Sequence, residues 1–253
     1  MIMIKRFLIL AGVLIVLTGC GTSSEIDTED TECVSEEITE VTEEIEENEV
    51  VEAESSWVKD LKVAQTTTQI VAVVERGGNA TVSFHAKDES GVWNEIFSVE
   101  GRIGKNGIGK TKEGDKKTPI GVYKFTHALG ILPDPGISAF PYLQLDETHH
   151  WVDDSNSKYY NQLVSTRDVE VDWESSEHLY KSTYSYKYIL ALDYNEECVP
   201  GAGSAIFLHC PSNGFKKTTG CIAIPVEKME LLMQSLKEDC VIVIDSEENI
   251  LNY

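Results

Sequence analysis

The chain has 253 residues, of which 42% are hydrophobic, enough for one sizeable core with little left over for a second. Its formal net charge at pH 7 is −22, from 43 acidic and 21 basic residues. This balance argues against nucleic acid as a partner, because binding to phosphates needs clustered positive charge.

The amino-terminal segment has the order of a secretory signal. Lys5 and Arg6 precede an apolar run from Phe7 to Leu17, and a charged region followed by an apolar one is typical of exported proteins. The run is shorter than the roughly 20 apolar residues that span a bilayer as a permanent helix. We therefore predict export, with residues 1–19 as the signal peptide.

The end of this segment, Leu17-Thr18-Gly19-Cys20, resembles the lipobox of bacterial lipoproteins. In such a sequence the cysteine thiol is lipidated and the chain is cleaved just before it. Cys20 would then carry more than one acyl chain, which holds a protein on a membrane far more stably than a single chain does. The alternative is an ordinary signal peptide with a chance cysteine. The lipobox predicts an extracytoplasmic protein that is anchored to the cell membrane by lipid.

Residues 20–60 are predicted to form a disordered acidic tether. Between Glu25 and Glu54 there are fifteen acidic residues and no lysine or arginine. Such a segment cannot bury enough apolar surface to offset its ordering entropy, and its like charges extend it. A helix with Ile38, Val41 and Ile45 on one face is the alternative, which repulsion among neighbouring glutamates disfavours. The tether would hold a domain of residues 61–253 roughly 35 Å or more from the anchor.

From about Thr66 the pattern changes to short alternating apolar runs, which predict β-strands. These runs span residues 69–75, 80–85, 93–100 and 187–194. Gly77-Gly78-Asn79 predicts a turn between the first two strands, since glycine and asparagine tolerate a positive φ. Residues 101–121 are rich in glycine and lysine, and we predict a long loop there.

The carboxyl-terminal part predicts one helix and a closing strand. Pro225 lies near the expected first turn of the helix, and apolar residues follow at intervals of three and four. These residues are Val226, Met229, Leu232, Met233 and Leu236. Residues 240–244 form an apolar run that predicts the last strand. The expected fold is mainly β with a minority of helix.

A histidine and a cysteine lie at the ends of two further apolar segments. Residues 205–209 form a continuous apolar run, typical of a strand that is buried on both faces, and His209 ends it. An exposed loop leads to Thr218-Thr-Gly-Cys221, which a short apolar strand follows. If these strands lie side by side, His209 and Cys221 come together.

Such a pair suits nucleophilic catalysis. A free thiol has a pKa of about 8.5, so little thiolate is present at neutral pH until an adjacent imidazole takes the proton. Gly220 lets backbone N–H groups approach the carbonyl under attack, and each well-placed oxyanion donor is worth about 2.7 to 4 kcal/mol. Cys221 is therefore the candidate nucleophile and His209 its base.

The cysteines also raise the question of a metal site. Cys198, His209, Cys210 and Cys221 have spacings compatible with zinc. However, consecutive strand residues such as His209 and Cys210 point to opposite faces and cannot easily share one ion. We predict neither a metal nor another cofactor. With Cys20 lipidated, five cysteines remain, so at least one thiol is unpaired.

The same residues resemble a known family. His209 followed by Thr218-Thr219-Gly220-Cys221 is similar to the His...Ser/Thr-x-Gly-Cys signature of the L,D-transpeptidase catalytic domain, also called the YkuD or ErfK-type domain. Further blocks resemble segments of that family in the same order. They are Thr118-Pro119-Ile-Gly121, Trp151-Val-Asp-Asp154, Tyr159-Tyr-Asn161 and Pro200-Gly-Ala-Gly203-Ser204. The similarity runs from about residue 66 to residue 253.

The resemblance implies a β-sandwich catalytic domain that acts on peptidoglycan, with roles in cell-wall biogenesis and cell shape. It would cleave a tetrapeptide stem after the L-centre of its diamino acid, expel D-alanine and keep the acyl group on Cys221 as a thioester. An amine of a second stem would then form a crosslink, with His209 returning the proton, whereas water would give carboxypeptidase activity. Residues 218–220 would stabilise the oxyanion, and Ser212 or a backbone carbonyl would orient the histidine.

Two positions depart from the family pattern. Many members have an arginine or asparagine just after the cysteine, whereas this chain has Ile222, and Cys210 follows the histidine where glycine is common. Positive charge for substrate binding would then come from Arg102, Lys216 or Lys217. The departure also motivates an alternative, in which the protein is a catalytically inactive, cell-wall-binding lipoprotein with the same fold.

Overall fold

The structure is a computed structural model that describes residues 55–212, 214 and 216–253. The predicted signal peptide, Cys20 and the tether up to residue 54 lie outside these residues. Residues 57–60, which we predicted as the end of the tether, form a 3-10 helix in which Val58 is fully buried. Within the described residues, no helix has the length and apolar character needed to cross a bilayer.

The described chain is mainly β with little helix, which confirms the predicted fold class. The strands are β1 (Gln69–Arg76), β2 (Asn79–Lys87), β3 (Trp93–Gly101), β4 (Gly121–Gly130), β5 (Tyr142–Gln144), β6 (His149–Val152), β7 (Leu163–Ser165), β8 (Ser176–His178), β9 (Ile189–Leu192), β10 (Phe207–His209), β11 (Ile222–Ala223) and β12 (Val241–Ser246). The helices are α1 (Val226–Ser235) and the 3-10 helices Trp57–Asp60, Lys62–Gln65, Leu179–Lys181 and Ile250–Asn252.

One large sheet contains nine of the strands. Their order is β11-β10-β9-β4-β12-β1-β2-β3, and β5 pairs with β4. The predicted turn between β1 and β2 is present: Gly77 and Gly78 both have a positive φ, of 59° and 84°, as a two-residue type I′ turn requires. Just beyond β3, Arg102 exchanges two backbone hydrogen bonds of 2.9 Å with Ala223. This bridge joins the two ends of the sheet and gives it a barrel-like form.

The first apolar run predicted as a strand is buried on both faces. In β1, Val71 and Val73 belong to the main core, whereas Ile70 and Ala72 belong to a cluster on the other face. Because successive strand residues point to opposite faces, a run without polar residues is required wherever both faces are covered. The predicted helix is also confirmed, and its Met229, Leu232 and Met233 are fully buried in the main core.

A separate three-stranded sheet, in the order β7-β6-β8, lies beside β10. Its Trp151 is buried, and the indole ring packs edge-on against Phe207 of β10 at 5.0 Å between ring centroids. Each burial of a large side chain of this kind contributes about 1.5–3 kcal/mol. The small sheet therefore forms a wall next to the strand that ends in His209.

Candidate active site

The two strands that carry the candidate pair are neighbours, as predicted. β10 and β11 run parallel, with Leu208 opposite Ile222 and His209 opposite Ala223. Cys221 directly precedes β11, two residues before Ala223. Since residues two apart share a face of a strand, Cys221 and His209 lie on the same face of the sheet.

Both side chains are buried but reached from outside. Cys221 and His209 are each 7% exposed, and both line one open cavity of about 610 Å³. The Cys221 Sγ donates a hydrogen bond to the Ala205 carbonyl at 3.1 Å. Within the part of the chain that the structure describes, no hydrogen bond joins the sulfur to the imidazole. In this state the thiol proton thus points to the backbone.

The imidazole of His209 is held by the backbone. Its Nδ1 lies 2.5 Å from the Cys210 carbonyl oxygen, and a carbonyl can only accept, so Nδ1 carries the proton and Nε2 is the basic nitrogen. The Tyr186 ring packs edge-on against the imidazole at 5.4 Å. Ser212, predicted as an orienting residue, instead places its carbonyl where Arg102 Nη1 donates to it at 2.8 Å.

Burial makes both members of the pair neutral. It raises the pKa of the Cys221 thiol to about 12, with the nearby carboxylate of Glu177 adding to the shift. Burial also lowers the pKa of His209 to about 4. A thiol and an unprotonated imidazole are therefore the resting forms, and the imidazole can take a proton at neutral pH.

Thr218 fixes the turn that precedes Cys221. The Thr218 hydroxyl donates to the Cys221 carbonyl at 2.6 Å and accepts from the Gly220 N–H at 3.2 Å. The backbone N–H groups of Thr219 and Cys221, in contrast, have no hydrogen-bond acceptor within the described residues. Gly220 itself has φ +151°, and a Cβ there would lie 3.1 Å from the Lys117 carbonyl oxygen. Only glycine fits this position without strain.

The carbonyl that accepts from the thiol is positioned by a buried asparagine. Asn161 Oδ1 accepts from the Ala205 N–H at 3.1 Å and from the Trp151 indole N–H at 2.9 Å. Its amide nitrogen donates to the carbonyls of Tyr194 and Asn195 at 3.1 and 2.8 Å. The sequence block 159–161 thus supports the segment that leads into β10.

Tyr160, next to Asn161, also holds the segment that leads into β10. The Tyr160 hydroxyl donates to Glu113 Oε2 at 2.6 Å and accepts from the Gly203 N–H at 2.9 Å. Ser204 also donates to the same carboxylate oxygen, at 2.7 Å. The two sequence blocks around residues 160 and 203 therefore meet each other beside the site.

The cavity of about 610 Å³ is basic, and we call it the basic cavity. Its charged lining residues are Arg102, Lys105, Lys116, Glu177, Lys216 and Lys217, of which one is acidic. All three cations proposed from the sequence are among them, although the Lys217 ammonium donates to the Gly78 carbonyl. Lys105 and Lys116 were not predicted individually, but both come from the lysine-rich segment 101–121. Glu177 gave no sequence signal, since its strand has only three residues.

The other cysteines of the described chain are separate from the pair. Cys198, Cys210, Cys221 and Cys240 form no disulfide. Cys210 packs in the main core, whereas Cys221 belongs to the cluster that includes Phe207. Within the described residues, no three His, Cys, Asp or Glu side chains are grouped as metal ligands.

Comparisons with known proteins give a family and two solved structures. The model of the family "YkuD: L,D-transpeptidase catalytic domain" matches residues 66–244. The comparison with curated proteins gave no match. The helical cell shape determining protein Pgp2 from Campylobacter jejuni is similar at 18% identity and a TM-score of 0.40, over 71% of this chain and 48% of that one.

An L,D-transpeptidase (Yku) from Stackebrandtia nassauensis is similar at 14% identity and a TM-score of 0.32, over 71% of this chain and 56% of that one. The chain thus spans about half the length of both solved proteins. The family model, in contrast, covers well over half of this chain and includes the signature from His209 to Cys221. The chain belongs to the L,D-transpeptidase catalytic domain (YkuD) family.

Proposed function

We propose that the protein is a cysteine-dependent peptidoglycan L,D-transpeptidase, with Cys221 as nucleophile and His209 as base. The family supports a peptidoglycan-related function. The observation that carries the finer proposal is the position of the signature pair on one face of adjacent strands, where both side chains line one open cavity.

Acylation begins with the thiol. Its proton turns from the Ala205 carbonyl to Nε2 of His209, and the sulfur attacks the carbonyl carbon at the L-centre of the donor's diamino acid. His209 then gives the proton to the leaving nitrogen of D-alanine. The C–N bond breaks as the thioester C–S bond remains, so the proton never has to leave the site. Since thiolate formation is costly in a buried site, transfer has to accompany attack.

Two features support stabilisation of the tetrahedral intermediate. The free amides of Thr219 and Cys221 are the candidate oxyanion donors, and Gly220 keeps the turn open for the substrate oxygen. The basic cavity, with Arg102 and the lysines on its wall, suits the terminal carboxylate of the donor stem. This arrangement replaces the positive group that many family members carry just after the cysteine.

Deacylation follows with an amine or with water. An amine of a second stem attacks the thioester carbonyl and loses a proton to His209. The C–S bond breaks, and His209 passes this proton to the sulfur. The product is a direct link between two diamino acids. Water in place of the amine gives a tripeptide stem and therefore L,D-carboxypeptidase activity.

The decisive experiment uses purified tetrapeptide-containing muropeptides with the full chain and mass analysis of the products. We expect dimers lacking one D-alanine, and a Cys221 thioester adduct. Cys221→Ala should abolish both, whereas Cys210→Ala, which changes a thiol in the main core, should retain both. Tripeptides alone would show hydrolysis. Unchanged muropeptides and no adduct would instead support the inactive, cell-wall-binding alternative.

We also propose that the protein works outside the cytoplasm, anchored through lipid on Cys20. The lipobox-like sequence and the acidic run from Glu25 to Glu54 support this arrangement, in which the folded domain that follows reaches a substrate above the membrane. Replacing Cys20 by Ser should move the protein from the membrane fraction to the soluble fraction. Continued recovery with the membrane would contradict lipid attachment at this residue.

A further inference from the structure

A second cavity adjoins the basic cavity at Cys221. It has a volume of about 260 Å³, and Cys221 borders it as well as the basic cavity. Three carboxylate side chains line it: Glu113, Asp153 and Glu177. Glu177, Lys116 and Thr219 also line the basic cavity, so these residues stand where the two cavities meet, beside Cys221. We call the second space the acidic cavity.

The cations in the acidic cavity do not balance these carboxylates. Lys110 lines it, but its ammonium pairs with Asp115 at 3.1 Å, and both side chains are buried, at 2% and 8% exposure. Backbone N–H groups around Asp115 and the Lys110 ammonium outweigh the cost of burial and lower the pKa of Asp115 to about 2. This pair is therefore internally neutral. Lys116 alone then faces three carboxylates.

Hydrogen bonds compensate two of the carboxylates only in part. Asp153 Oδ1 is buried and has no hydrogen-bond partner within the described residues. Burial raises the pKa of Asp153 and of Glu177, and the neighbouring carboxylates raise both further. Glu177 accepts one hydrogen bond, from the Tyr186 hydroxyl at 3.1 Å. A bound cation would satisfy the free oxygen and offset the mutual repulsion.

Two adjoining cavities with opposite charge thus border the same cysteine. In the proposed reaction the donor brings a terminal carboxylate, whereas the second substrate brings a primary amine that is cationic at neutral pH. We propose that the acidic cavity binds the primary ammonium group of the acceptor stem, and that Glu177 takes the proton this group must lose before it attacks. The inference rests on the proposed function and assigns the second substrate to one of the two cavities that Cys221 borders.

The proton balance of the transfer step is complete with these residues. The ammonium gives one proton to the Glu177 carboxylate and becomes a neutral amine. Its nitrogen attacks the thioester carbonyl carbon, the C–N bond forms and the C–S bond breaks. The second proton of the nitrogen passes through His209 to the sulfur, and the proton on Glu177 leaves to solvent. No oxidant, reductant or other reactant is needed.

Binding can be tested without turnover. We would use the full chain with Cys221→Ala and measure by calorimetry the affinity for a tripeptide stem with a free side-chain amine. Acetylation of that amine should weaken binding about tenfold or more, and so should Asp153→Asn or Glu177→Gln added to the same variant. Glu174→Gln is the matched control, because this exposed carboxylate belongs to the same segment but lies outside the cavity.

Turnover gives the second measurement. With the native nucleophile, Glu177→Gln should reduce crosslinking at least about tenfold more than it reduces D-alanine release, because only the transfer step needs its carboxylate. Glutamine keeps an acceptor for Tyr186, so the change removes charge rather than packing. The Michaelis constant for the acceptor should rise in Asp153→Asn, and Glu174→Gln should behave as the unmodified chain.

The outcomes separate the two proposals. Equal affinity for the free and acetylated tripeptides, or an unchanged ratio of crosslinking to D-alanine release in Glu177→Gln, would overturn the acceptor site. If the unmodified chain forms no adduct at Cys221, the proposed function fails. The calorimetric comparison would then still decide whether the acidic cavity binds an ammonium group.

Discussion

Cys221 and His209 show how burial shapes the chemistry of single residues. Both are neutral at rest, because a low-polarity environment opposes the thiolate and the imidazolium alike. The neutral imidazole is available as a base throughout the physiological range. The thiol is protected from ionisation until a substrate enters, and its hydrogen bond to Ala205 keeps the proton away from the base.

Gly220 is the residue whose replacement tests the geometry of the turn. We expect Gly220→Ala to destabilise the protein by about 1–3 kcal/mol, because φ +151° disfavours a side chain. The new Cβ would also lie 3.2 Å from the Ile206 side chain. Acyl-enzyme formation should fall by more than the loss of folded protein explains. Urea unfolding and adduct formation measure the two effects.

The control for this change is Gly107→Ala. Gly107 also has a positive φ, of 82°, but a Cβ there meets nothing within 4 Å. A similar loss of adduct formation in both variants would mean that backbone strain, and not the closeness of the Gly220 turn to its neighbours, limits activity.

At the scale of elements, the site depends on the small sheet β7-β6-β8 and the segment that follows β6. Trp151 and Glu177 face each other in register on β6 and β8, and the chain then returns through Asn161 to the backbone before β10. Elements far apart in sequence thus determine where the Ala205 carbonyl lies. Cys221 is therefore positioned by more than its own strand.

Asn161→Ala tests this support. The variant loses two accepted and two donated hydrogen bonds, at Ala205, Trp151, Tyr194 and Asn195. Because the partners are largely buried, we expect a destabilisation of about 2–4 kcal/mol. The residual folded fraction should also acylate more slowly, since Ala205 is no longer held.

Thermal unfolding and adduct formation per folded molecule are the measurements. Asn156→Ala is the control, since that asparagine is exposed and bonds locally to Asp154. Normal acylation by folded Asn161→Ala would mean that the Ala205 position does not depend on this side chain.

Sequence patterns predicted some of these elements well and missed others for a physical reason. β1, β2, β3 and α1 were predicted because each buries a continuous or periodic apolar face. The strands β5 to β8 have three or four residues each and are only partly buried, so alternation is too short to be recognised. β4 lies partly exposed after a glycine-rich segment, and its pattern was equally weak.

The same distinction holds for the site. His209 and Cys221 could be predicted because their strands and the signature between them are local in sequence. Asp153 and Asn161 lie in blocks that resemble the family, whereas Glu177 had no sequence signal. The positions of all three relative to Cys221 depend on the tertiary arrangement around the small sheet, which no local pattern specifies. The backbone carbonyl that orients His209 has no sequence signal, since every residue has one.

At the scale of the whole molecule, two buried neutral histidines make folding sensitive to acid. Burial lowers the pKa of His85 and of His209 to about 4, against about 6.5 in the unfolded chain. The unfolded state therefore binds more protons below pH 6.5. Their contribution to stability is complete above that pH and is lost as the pH falls toward 4, by about 2 kcal/mol for each histidine at pH 5.

Urea unfolding at pH 7 and pH 5 checks this expectation. His85 lies between the hydroxyls of Ser56 and Ser83, each 2.7 Å from a ring nitrogen. His85→Gln should lower the stability at pH 7 but reduce the difference between the two pH values by about half. An undiminished difference would show that other groups cause the acid sensitivity.

The bridge between Arg102 and Ala223 limits how a substrate can be recognised. On one side the backbone of β11 is occupied by Arg102, and on the other by β10, where the Ile224 N–H donates to the His209 carbonyl at 3.0 Å. Within the described residues, β11 consequently has no open edge on which a peptide could extend beside Cys221. Under the proposed function, selection of a stem peptide would then rely on the charged side chains around the sulfur. A change in the amidation or acetylation of the cell wall would alter recognition more than a change in the peptide backbone would.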